Sequence, residues 1–273
     1  MSSTLSARAP LKLPAHDRPL ARTAWLMLAL AAVTVALMAI DPRLFNGVST
    51  WLKPLKFQLS LAVFLGTLAL IMGQLTPAGR ESRLAAAIRW FAIPTSLFEI
   101  AYIMLRAGLN EASHFNDADA LGRTMFTLMG LAALFLTATA GLLAILTLRH
   151  ARPAMAPIRL YVASGLMISA VLGIYTGAVI GDAGSHWVGG APTDAGGLPL
   201  VSWVRDGGDL RVAHFFALHA MQIFPLLGLA LIATSAIVRH GVLAITATAY
   251  TACVLALLWQ AQRGEPFLPG LMA

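Results

Sequence analysis

The sequence predicts an all-α membrane protein, a bundle of about seven transmembrane helices with a cytoplasmic N-terminus and an outer C-terminus. Three observations carry that expectation. Hydrophobic residues make up 58% of the 273-residue chain and charged ones only 11%, where a soluble domain carries about 25% charged residues. Seven apolar runs each approach or exceed the ~20 residues needed to cross the hydrocarbon core. Basic residues crowd one set of connections. With the N-terminus inside, eleven basic residues face two carboxylates on the cytoplasmic side, and eight face nine on the outer side, Glu99 being intramembrane.

Residues 1–22, with Arg8, Lys12, Arg18, Arg22 and three prolines, read as a cytoplasmic tail. The transmembrane domain spans 23–262 and a short tail, 263–273, closes the chain. The first span, about 23–40, carries no charge and lacks a convincing cleavage site, so it reads as a retained helix. Further spans lie at about 56–75, 84–105, 124–148, 160–180, 210–235 and 242–260. They are too long and too unalternating for barrel strands, and helices satisfy their own backbone groups in lipid. The long connections 41–55, 106–123 and 181–209 then fall outside and the inner turns are short. The Gly- and Pro-rich 181–209 loop has no evident secondary structure, and Trp187 and Trp203 are candidate interface anchors in it. The net charge of +7 follows from the positive-inside bias rather than from nucleic-acid binding. A lone cysteine, Cys253, excludes a disulfide framework and a thiolate metal cluster.

Ionisable groups within spans are expensive and mark sites by default. The second span opens Trp51-Leu-Lys53-Pro54-Leu-Lys56-Phe-Gln-Leu-Ser60, with Lys53, Lys56 and Ser60 on one helix face. Two cations there oppose the helix dipole and call for an anion, unless they snorkel to lipid phosphates. In the third span Glu99 lies about 10 Å below Arg106 on one stripe. In the sixth, Arg211, His214, His219 and Gln222 fall within an arc of about 140°. Glu99 and His219 match in depth and form a candidate proton pair if their helices are neighbours. The five residues from His214 to His219 are not the four of a helix-borne zinc pair. His114 and His186 lie in outer loops. All of these fall in the outer half, while the inner half shows basic turns and no buried ionisable group.

Three segments, Trp51-Leu-Lys-Pro-Leu-Lys-Phe57, Glu99…Ser113-His-Phe-Asn116 and Gly208-Asp-Leu-Arg-Val-Ala-His-Phe-Phe-Ala-Leu-His-Ala-Met-Gln222, resemble a family of bacterial multi-pass integral membrane proteins. The resemblance implies that the segments belong together in a bacterial inner-membrane protein, and brings no activity with it. Ceramidase- and adiponectin-receptor-type zinc hydrolases are also seven-span, but their final-helix His-x-x-x-His is missing here.

The leading expectation is an outward-facing polar pocket that binds or transports a small anionic or amphiphilic ligand through Lys53, Lys56, Glu99, Arg106, Arg211, His219 and Gln222. One alternative is an intramembrane enzyme with a divalent metal or haem held among His114, His186, His214 and His219. The other is a non-catalytic assembly protein whose polar groups only tie helices together.

Overall fold

The computed structural model describes residues 16–116 and 120–268. Arg8 and Lys12 of the expected tail, Asp117 and Asp119 of the second long loop, and the last five residues lie outside them. Seven helices are long and apolar enough to span a membrane: α1 (Arg18–Ile40), α2 (Leu52–Gly73), α4 (Arg83–Gly108), α5 (Ala120–His150), α6 (Arg159–Asp182), α7 (Leu210–Ala230) and α8 (Ala236–Gln262). A single turn, α3 (Pro77–Arg80), links α2 to α4. The protein is a multi-pass all-α bundle. Its long connections gather at one end, here the long-loop end, and the short turns at the other.

Hydropathy alone places several helix ends too far in. α1 begins at Arg18 because Asp17 caps it, accepting from the Leu20 N–H, with Pro19 in the first turn. α2 begins at Leu52, so Lys53, Pro54 and Lys56 all sit in its first turns, where proline's missing N–H has no helical partner to lose. Ser82 and Ser235 cap α4 and α8 in the same manner as Asp17. α7 stops at Ala230, short of the expected residue 235, after the internal Pro225 and before the Ser235 cap.

The helices pack in the order α1, α2, α4, α5, α6, α7, α8, with α6 against α7 the most extensive contact. That seam is built on small residues. A Cβ at Gly165 would stand 2.6 Å from the Ala220 carbonyl oxygen, and one at Gly173 would stand 2.8 Å from Leu218 Cδ2. Close backbone approach of this kind drives helix association in lipid, where burying apolar surface gains little. The main core joins α1, α2, α4, α5 and α6 through Met27, Leu65, Leu68, Ile88, Leu143 and Leu166.

The short-turn end does contain a buried ionisable group, contrary to expectation. The Asp17 carboxylate is 6% exposed and takes two hydrogen bonds from Arg89, at 2.9 and 2.6 Å. Asp17 N–H also donates to Ala69 O, and Arg89 donates to Arg80 O, so one ion pair ties α1, α2, α3 and α4. The signal was visible as an Asp-x-Pro helix start, but its partner lies 72 residues away.

The long loops are more ordered than composition suggests. Within 41–51, strands β1 (Leu44–Phe45) and β2 (Val48–Ser49) form a hairpin around Asn46-Gly47, both at positive φ. This is the Asn-Gly turn whose twist matches paired strands. Asp41 receives hydrogen bonds from Arg43 and from Trp51 Nε1, which hold its carboxyl well below the usual range. Arg43 and Thr50 donate to the carbonyls of Gly108 and Ala107, closing the C-terminus of α4. The 183–209 loop is pinched at its base by β3 (Trp187–Val188) against β4 (Gly208–Asp209), antiparallel. Gly208 is required there. A Cβ on it would fall 1.9 Å from the Ala261 carbonyl oxygen of α8.

Candidate ligand site at the long-loop end

Lys53 and Lys56 stand at the start of α2, beneath the 183–209 loop. Lys56 Nζ donates to Val201 O at 3.1 Å. Neither lysine has a carboxylate within ion-pair distance among the described residues. The charges acting on Lys53 are Lys56 and Arg211 against Asp194 and Glu99, and those on Lys56 are Arg211 against Asp194 and Asp209. Residues from α2, α4, α7 and the 183–209 loop thus share one electrostatic neighbourhood.

Glu99 is 3% exposed, and its Oε1 has no hydrogen-bond partner. Gln58 Oε1 and Ser96 Oγ are likewise buried without a partner. The charge that reaches Glu99 is Lys53 of α2, not His219. α4 packs on α1, α2 and α5, whereas α7 packs on α6 and α8. The expected Glu99–His219 pair does not form, because matching depth does not make two helices neighbours.

Two of the expected ligand-binding arginines are already neutralised. Arg106 Nη1 lies 2.7 Å from Glu111 Oε2 and its Nε donates to Ala112 O. It fastens the loop that follows its own helix. Arg211 is gripped by Asp209 at 2.6 Å and by Asp194 at 2.8 Å, and also donates to Ser202 O. Asp209 is 1% exposed and additionally accepts from the N–H groups of Val204 and Arg211. Its place two residues before Arg211 was legible. Asp194, in the middle of a Gly-rich loop, was not.

The histidines are dispersed. His114 packs among Phe57, Phe115 and Phe126, with its Nδ1 3.1 Å from Ser113 Oγ. Burial, reinforced by Lys53, holds it neutral, well below the usual histidine range. His186 stacks on Trp187 and donates from Nε2 to Asp194 Oδ1 at 3.3 Å. Burial lowers its pKa more than Asp194 raises it. His214 Nδ1 lies 3.0 Å from Thr176 Oγ1, which also lies 2.7 Å from Leu172 O. His219 donates from Nδ1 to Phe215 O at 2.8 Å and stacks on that ring at 3.9 Å. No three His, Cys, Asp or Glu side chains converge as a metal site among the described residues. The four histidines named as possible ligands, His114, His186, His214 and His219, are thus not gathered into one such cluster. Each ring is held by a neighbour on its own or an adjacent segment.

Gln222 Nε2 donates to Thr67 Oγ1 at 2.9 Å, a link from α7 to α2. One of the two loop tryptophans departs from expectation as well. Trp203 is 8% exposed and packs edge-on against Phe215 and Phe267, so it is a loop core rather than an interface anchor. Trp187 lies in the β3 strand against His186.

No family model matches the chain, and no curated protein or solved structure matches it.

Proposed function

We propose that this multi-pass membrane protein binds a small anionic or amphiphilic ligand at its long-loop end, with Lys53 and Lys56 holding the negative charge. The observation that carries this reading is the pair of half-buried lysines at the start of α2 with no ion-pair partner among the described residues. Their helix adds its own positive end, and two cations there are costly unless an anion joins them. Arg106 and Arg211 hold the loops in place, and Glu99 acts on Lys53 from below. The resemblance and the charge bias support a bacterial inner membrane, with the long-loop end facing outward. A reporter active only outside the cytoplasm should then work when fused after Ala273 and fail after Arg80.

The test is binding of inorganic phosphate to the full chain in phosphatidylcholine nanodiscs, read as a rise in unfolding temperature. The unaltered protein should be stabilised, and Lys53→Gln/Lys56→Gln should lose the effect. An equal response in both proteins would remove the anion site.

A further inference from the structure

Helices α2 and α7 run in the same direction from the long-loop end, and they are in register. At the top Lys56 and Arg211 donate to the successive loop carbonyls Val201 O and Ser202 O, and at the bottom Gln222 donates to Thr67. Each of these pairs of positions is separated by eleven residues on its own helix, about 16 Å of rise. At 100° per residue, Lys53, Lys56, Ser60, Val63 and Thr67 fall on one stripe of α2 about 80° wide. Arg211, Phe215, His219 and Gln222 fall on a stripe of α7 of the same width. The two stripes therefore face each other, fixed by their end contacts.

Between those ends the facing positions are uncovered. Val63 is 48% exposed, Phe215 is 37% exposed, and Ser60 is exposed too. The two helices make no extended contact with each other, α7 being packed on α6 and α8. Phe215 meets Trp203 of the 183–209 loop and, on its own helix, Phe216 and His219, yet it stays exposed, as Ser60 and Val63 do. The stretch of the two stripes left exposed between these ends is here called the slot. The Thr67–Gln222 bond closes its lower end, the stacked Phe215 and His219 rings form one wall, and Lys53 and Lys56, neither in an ion pair among the described residues, stand at its head.

We infer that the slot takes an anionic lipid from the surrounding bilayer, its charged head on Lys53 and Lys56 and its acyl chain lying between α2 and α7. This rests on the anion site proposed above and assigns its ligand class and route of entry. Charge complementarity selects the occupant. A zwitterionic or neutral lipid would fill the slot without compensating the lysines, and a water-soluble anion would compensate them and leave the slot empty.

The experiment is photolabelling of the full chain in phosphatidylcholine nanodiscs doped with phosphatidic acid carrying a mid-chain diazirine, with adducts mapped by mass spectrometry. Labelling should concentrate on residues 60–67 and 215–222. It should fall about fivefold or more in Lys53→Gln/Lys56→Gln, the loss expected for removing even one lysine's attraction to an anionic lipid. A diazirine phosphatidylcholine should label all lipid-facing helices evenly. Phosphatidic acid labelling spread evenly over the helices would overturn the lipid slot. The phosphate titration above, run on the same discs, would then show whether the anion site survives without it. Concentrated labelling unchanged by the lysine substitutions would overturn the charge selection. Val63→Trp should block the slot and abolish the focused adducts while leaving phosphate binding intact. Because the unaltered protein alone reports where the label goes, the inference remains testable if that variant does not fold.

Discussion

Asp209 Oδ2 lies 2.6 Å from Arg211 Nη2, so the cation at the mouth of α7 is paired with the residue that caps its own helix. Arg211 is thereby a clamp. Through Asp194 and Ser202 O it holds the 183–209 loop over the lysines. Asp209→Asn keeps the shape and the cap but removes the charge. Breaking a buried pair from one side typically costs about 3–5 kcal/mol. The variant should unfold at a clearly lower temperature in nanodiscs, and the 183–209 loop should become sensitive to protease. A variant as stable as the parent would mean that Asp194 alone suffices to hold Arg211.

Acid should release the same loop. Burial works against the charged form of Asp194, but the His186 hydrogen bond and Arg211 outweigh it and pull its pKa down to about 2. His186 is depressed as well, by burial first. Both groups bind fewer protons folded than unfolded, so both contribute stability at neutral pH and lose it as pH falls. The His186 contribution fades below about 6.5, its unfolded value, and the Asp194 contribution below about 3.9. Hydrogen exchange over 183–209, corrected for intrinsic rates, should quicken in two stages between pH 7 and 2. Asp194→Asn should remove the lower stage. Slower exchange on acidification would contradict the arrangement.

The division between what the chain revealed and what it hid follows from interaction range. The seven spans were legible because lipid demands a long apolar run for each crossing. The grouping of Lys53, Lys56 and Glu99 with Arg211 was legible because span direction alone puts them at one end. Which residues pair was not, because that depends on helix order. Glu99 and His219 share a depth, yet the cation acting on Glu99 comes from α2. The arginines misled for a related reason. Arg106 and Arg211 look free in a sparse sequence, and their partners Glu111 and Asp209 stood within five residues but seemed ordinary loop carboxylates. Asn46-Gly47 carried a hairpin signal inside a stretch too short to suggest strands.

The position of Glu99 yields the last prediction. It is buried, one of its oxygens lacks a partner, and Lys53 acts on it without an ion pair within 4 Å. His219 is instead bonded to its own helix. Two double-mutant cycles separate these relationships. Glu99→Gln combined with His219→Gln should give additive changes in stability, with no coupling beyond about 0.5 kcal/mol. Glu99→Gln combined with Lys53→Gln should exceed that limit, because each single variant leaves the other charge in a low-dielectric region. The ligand enters the same logic. Ionised Glu99 competes with the anion for Lys53, so at a pH where that carboxyl is ionised Glu99→Gln should bind phosphate more tightly than the parent. Weaker binding in that variant would mean that Glu99 positions Lys53 rather than competing for it.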